Sequence, residues 1–210
     1  MSSSESTIRP ASPSRALVRR LAPFAVLAAV VLPACTADYA QDGEAPVLLI
    51  MQDVNGGLPM DSDVRISTGS ICPDGVELTL ATQGKNPNVT LGAIGDVYAE
   101  RYEVQYFRSD GRGTEGVDVP FRISGAMSAR VATNGSTTTT IEVVRRQAKY
   151  EAPLSTLVGG QGPLVITMFA EITVHGRTTA GQATNAAKGR VHIDFADFGD
   201  DDTSCPTLGQ

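Results

Sequence analysis

The sequence predicts an all-β fold, an antiparallel β-sandwich behind an N-terminal export segment, and three observations predict it. Short segments alternate apolar and polar residues with the period of two that a half-buried strand requires, as at Val76, Leu78 and Leu80. Turn-forming Gly, Asn and Asp punctuate these segments, as at Asn55-Gly-Gly57 and Asn134-Gly135. Helical spacing is confined to residues 146–157, which Pro153 shortens to about two turns. Composition agrees: 210 residues, 41% hydrophobic and 19% charged, are globular proportions. A formal charge of −6 argues against a basic, phosphate-seeking surface, so nucleic acid is not an expected partner.

Taken in chain order, residues 1–20 are polar and hold Arg9, Arg15, Arg19 and Arg20 against one acid, Glu5. Residues 21–32 carry no charge. A spanning helix needs about 20 apolar residues, so this run is too short to cross a bilayer and reads as the core of a secretory signal. It ends in Leu32-Pro33-Ala34-Cys35, which resembles the lipobox of bacterial lipoproteins, with an aliphatic residue at −3 and a small one at −1. Pro33 at −2 departs from the usual pattern. The resemblance implies cleavage before Cys35, diacylglycerol on its thiol and acylation of the new amine. The alternative is an ordinary signal peptide with Cys35 free. Two or more acyl chains, each methylene contributing about 0.8 kcal/mol, give stable anchoring without a span. Thr36 stands where Gram-negative lipoproteins retained at the inner membrane carry Asp, which implies the outer membrane in such a host. Arg19-Arg20 is a poor twin-arginine signal before Leu-Ala-Pro, so the general secretory route is expected. Loss of residues 1–34 removes four Arg and one Glu and takes the formal charge from −6 to about −9.

The expected organisation is therefore a signal peptide over 1–34, a lipidated tether over 35–45 and a β-sandwich over 46–210. Residues 45–51 form an apolar run that reads as a buried strand, and 63–67 as a small edge strand. Strands follow at 76–80 and at 102–106, where Tyr102, Val104 and Tyr106 share one face. Residues 117–123 also alternate, with Pro120 marking an edge or a bulge. Residues 129–133 and 137–144 flank Asn134-Gly135 and are expected to form a hairpin. The last pair is the most regular. Ile166, Met168, Ala170, Ile172 and Val174 make one face, and Val191, Ile193 and Phe195 answer them after a Gly/Thr/Ala-rich turn. About seven to nine strands of this kind imply an immunoglobulin-like Greek key, although the buried Trp of antibody domains is absent; a barrel is the alternative.

Three segments carry a further resemblance. These are Tyr102-Glu-Val-Gln-Tyr-Phe-Arg-Ser-Asp-Gly-Arg-Gly-Thr-Glu-Gly-Val-Asp-Val-Pro-Phe121, Val144-Arg-Arg-Gln-Ala-Lys-Tyr-Glu-Ala-Pro-Leu154, and the ending Ala170-Glu-Ile-Thr-Val-His-Gly176 with Asp194-Phe-Ala-Asp-Phe-Gly199. They resemble blocks in a family of uncharacterised bacterial lipoproteins with an immunoglobulin-like β-sandwich domain, over most of residues 46–202. Gly181-Gln182 departs from the Gly-Asn pair usual in that family's final turn. The resemblance implies fold and location, and no activity.

With Cys35 assigned to lipid, Cys72 and Cys205 remain as an expected disulfide in an oxidising compartment, since no CxxC spacing supports a redox or metal pair. Among residues able to do chemistry, His175 and His192 fall on the outward face of the last hairpin, where they could be neighbours and could hold a metal with Asp194 or Glu171. Exposed ring side chains are the plainer reading. Glu115 and Asp118, with the tail carboxylates, could supply paired acids for glycoside hydrolysis, but the chain lacks Trp for a sugar platform. Asp61, Asp63, Asp96 and 200–202 could gather calcium at one end of the sandwich, though no D-x-D-x-D-G run exists. Neither a catalytic residue nor a cofactor is expected, and no metal site. The densest non-periodic stretch is Arg108-Ser-Asp-Gly-Arg-Gly-Thr-Glu-Gly-Val-Asp118, where Arg108, Asp110, Arg112, Glu115 and Asp118 suggest an interaction loop. The functional expectation is a lipid-anchored, non-enzymatic envelope module that contacts an envelope protein or polymer. A calcium- or ligand-binding sandwich is the alternative, with an envelope hydrolase behind it.

Overall fold

Buried and exposed side chains alternate along Val47–Val54, and this strand, β1, puts Val47, Leu49 and Val54 inward. Asn55-Gly-Gly57 ends it in a single 3-10 turn, where Asn55 and Gly56 take φ of 56° and 63°. The structure is a computed structural model that describes residues 45–66, 68–160, 164–198 and 204–205. The predicted signal segment, Cys35, the tether up to residue 44 and the acidic stretch 199–203 lie outside them. Ala45, at the predicted end of the tether, is buried and donates its N–H to the Ala183 carbonyl at 3.1 Å.

After β1 come β2 (Met60–Asp63), β3 (Asp74–Gly84), β4 (Val97–Arg108), β5 (Ile123–Val131) and β6 (Ser136–Val144). A one-turn helix α1 (Arg146–Tyr150) and a 3-10 segment (Leu154–Gly160) lead to β7 (Val165–Thr178) and β8 (Ala187–Ala196). They form two sheets, ordered β1-β3-β6 and β2-β8-β7-β4-β5. Every pairing is antiparallel except that β2 lies parallel to β8. The arrangement is sandwich-like: Leu49, Leu78 and Leu80 of the smaller sheet share one core with Val104, Ile172 and Phe195 of the larger. Tyr106 crosses this core and donates its hydroxyl to the Val143 carbonyl of the other sheet.

Four expectations are corrected. The edge strand expected from residue 63 onward instead ends there, spanning Met60–Asp63, and Val64 and Ile66 beyond it are both buried. Residues 117–122 are not a strand. Thr114 O accepts the N–H groups of Val117 and Asp118 at 3.1 and 2.8 Å, winding a turn with Gly116 at φ 75°, and Pro120 has no N–H for a ladder. β5 and β6 are not a hairpin. Asn134 adopts φ 57° and its side chain accepts from Gly84 N at 3.0 Å, while Thr82 N donates to Gly135 O at 3.0 Å. The turn is thus docked on β3, and the chain leaves it to pair with β3 across the sandwich. Finally, the helical stretch is split at Pro153 into α1 and the 3-10 segment.

Cys72 and Cys205 form the expected disulfide, with Cα atoms 5.2 Å apart. Two residues beyond Cys72, Asp74 faces the Lys149 ammonium of α1 at 2.8 Å. Lys149 is fully buried, donating also to the Asp63 carbonyl at 2.7 Å, and Ser62 Oγ donates to Asp74 at 2.5 Å. Burial raises the Asp74 pKa above the usual carboxylate value, against the opposing pull of Lys149.

Candidate functional site

The anticipated interaction loop is internally tied. Asp110 takes both neighbouring guanidinium groups, Arg112 Nη2 at 2.6 Å and Arg108 Nη2 at 3.1 Å, and accepts the Arg112 backbone N–H at 3.1 Å. The Arg112 hydrogen bonds hold its carboxyl far below the ordinary range. Glu115 accepts from Arg122 Nε at 2.8 Å, and Asp118 accepts the Thr114 N–H at 3.2 Å. The loop therefore brings Arg108, Asp110 and Arg112 into one cluster. Glu115 and Asp118 are held by different partners.

The larger assembly is the outer face of the five-stranded sheet. Alternation along β4, β7 and β8 turns every second side chain to solvent, and the register stacks these in rows. Arg101 stands opposite His175; Ser124, Glu103, Thr173 and Lys188 follow in line; then Gln105, Glu171 and Arg190; then Phe107, Phe169 and His192. Successive rows are about 7 Å apart, two residues of strand rise. A groove of about 560 Å³ runs over the first rows, with Arg101, Glu103, Glu171, Thr173, His175 and Lys188 in its lining. A second, of about 520 Å³, lies between Phe169, Arg190 and His192 and the Leu58-Pro59 turn.

Charge in these rows is shared unevenly. Glu171 alone answers Arg190 at 2.8 Å and Lys188 at 3.3 Å, and the Arg190 hydrogen bonds foremost lower its pKa. Glu103 pairs with Arg101 and lies 3.6 Å from His175 Nε2. Phe107 and Phe169 are 37% and 39% exposed on this face, and the Phe169 ring meets the His192 ring at 5.3 Å between centroids.

The histidine expectation is corrected. His192 stands opposite Phe169, whereas His175 lies six residues further along β7, roughly 20 Å away at strand rise. They share a face but not a site, because the turn between β7 and β8 offsets them by three rows. The calcium grouping is corrected too. Asp61 pairs with Asp194 at one end of the sheet, while Asp96 precedes β4 at the other. Asp96 is already taken: Arg130 reaches it at 2.5 Å, and Thr133 donates its N–H at 2.9 Å and its hydroxyl at 3.1 Å. These donors, the Thr133 N–H first, hold its carboxyl below the ordinary value. Asp63 accepts the Phe198 N–H at 3.1 Å, and 200–202 lie outside the described residues. Among the described residues no three His, Cys, Asp or Glu side chains group as an ion site.

Sequence reasoning missed the aromatic row. Alternation already set Phe169 and Glu171 on the outward face, but Phe107 joins them only through the β4–β7 pairing, which no local pattern announces. No family model matches the chain, and no curated protein matches it.

Proposed function

We propose that this protein is a lipid-anchored module of the bacterial envelope, outer-membrane in a Gram-negative host, that works by binding through the outer face of its five-stranded sheet. The observation that carries the reading is that face, which holds exposed phenylalanines and aligned charged rows over a sheet whose other side is core. Export is supported by the charged and then apolar start, the Leu32-Pro33-Ala34-Cys35 lipobox likeness and the Cys72–Cys205 disulfide, a bond that persists in oxidising compartments. Acyl chains on Cys35 would hold the domain beside the bilayer. Binding is preferred to catalysis because the groove carboxylate Glu171 is already paired with Arg190 at 2.8 Å and Lys188 at 3.3 Å. Asp74, whose pKa is raised, is locked to buried Lys149.

An immunoglobulin-like Greek key is part of the proposal. Supporting it, β1, β3 and β6 follow the order of the first, second and fifth strands of that fold, and β8, β7 and β4 its last-to-third order. The parallel seat of β2 beside β8 fits a first strand divided between the sheets.

In-cell photo-crosslinking tests the binding face. A crosslinker at Phe169 is expected to capture an envelope component, and one at Thr138, on the exposed side of the other sheet, is expected to capture none. Capture from Thr138 alone, or from neither, contradicts the reading.

A further inference from the structure

We infer that the ligand of this face is an acidic glycan, with a sugar ring seated on the Phe107–Phe169–His192 row and its carboxylate held by Arg190 and Lys188. The inference rests on the binding role proposed above and specifies its ligand class. Backbone donors and acceptors of the sheet interior are spent in the β4–β7 and β7–β8 ladders, so recognition on this face belongs to side chains. An extended peptide gains its affinity from a sheet edge, which this face does not offer. A pyranose offers what these rows complement: an apolar C–H surface for exposed rings, and a belt of hydroxyls that both donate and accept. Phe169 lies at the wall of the second groove and Glu171 in the lining of the first, one row apart, so one ligand reaches both.

Charge selects among sugars. Lys188 and Arg190 share the carboxylate of Glu171 at 3.3 and 2.8 Å while Glu103 pairs with Arg101, so across these rows three basic side chains stand against two carboxylates. This stands out in a chain of formal charge −6. A ligand carboxylate completes the pairing without displacing Glu171, and a neutral sugar does not. The groove volumes of about 560 and 520 Å³ fall in the range of small-ligand sites.

Calorimetry on the full-length processed protein in detergent tests this with two probes, hexagalacturonate and the neutral maltohexaose. Hexagalacturonate should bind saturably, roughly tenfold or more tighter than maltohexaose, and weaken as salt rises. Phe169→Ala and Arg190→Ala should each weaken it roughly tenfold, while Tyr150→Ala, which removes an exposed ring from α1, should leave it unchanged. Equal affinity for both probes, equal loss in Tyr150→Ala, or no saturable binding overturns the glycan assignment. If the sugars fail while Phe169 crosslinks to a protein, the assignment falls and the binding face stands; if both fail, both fall.

Discussion

At Asp96 one carboxylate accepts the Thr133 N–H and the Arg130 guanidinium, while its own carbonyl accepts the Thr179 N–H at 2.9 Å. Three segments distant in sequence are thereby fastened at the start of β4. Because its folded pKa lies below the unfolded value, its stabilisation is present above about pH 4 and is lost as pH falls through the folded value. Asp96→Asn should therefore lower Tm at neutral pH and flatten the decline of Tm between about pH 5 and 2, measured by calorimetry. Asp74 has the opposite sign: its raised pKa favours the folded state most when protonated, and that contribution is lost as pH rises through the folded value. Its partner decides the larger effect. Lys149→Met strands a buried carboxylate and should cost about 3–5 kcal/mol by urea denaturation, whereas Lys149→Met with Asp74→Leu should recover much of it. No periodicity marks this pair, since Lys149 and Asp74 meet only after α1 folds back on the start of β3.

Among elements, the most regular alternation was the most legible. The inward residues of β7, Ile166 to Val174, are buried as expected, as are Val191, Ile193 and Phe195 of β8. Where turns decide pairing, local pattern failed. Asn134-Gly135 looks like a hairpin turn, yet its hydrogen bonds go to β3 and send β6 into the other sheet. Edge protection was invisible for the same reason. Asn185 accepts the Leu49 N–H at 2.9 Å and donates to its carbonyl at 2.8 Å, so a side-chain amide replaces a neighbouring strand along β1. Asn185→Leu should remove that cover, cost about 1–3 kcal/mol and speed Leu49 amide exchange, read by hydrogen-exchange mass spectrometry. Close packing sets another limit. A Cβ on Gly125 would fall 2.4 Å from the Tyr102 ring, so Gly125→Val should cost about 1–3 kcal/mol unless Tyr102 is shortened as well.

The whole molecule is held at two scales, a core shared by both sheets and a bond closing 133 residues between Cys72 and Cys205. Replacing both cysteines by serine should lower stability by up to about 5 kcal/mol in the chain-entropy account, with a lower urea midpoint. The bond bears on the proposed function because a disulfide persists in the oxidising compartments that export would reach, and the proposal gives the third cysteine, Cys35, to lipid. The disulfide was legible by counting thiols. The outer face was half legible, since strand alternation orients Glu171 and Phe169 but only sheet order sets Gln105 and Phe107 beside them. Intact-mass spectrometry of the protein extracted from membranes decides whether it is lipid-anchored, because one spectrum reads processing, acylation and oxidation together. The expected mass is that of a chain beginning at Cys35, heavier by its acyl groups and lighter by the two hydrogens of the disulfide. A chain that keeps residues 1–34, or begins at Cys35 with no added lipid mass, would contradict it.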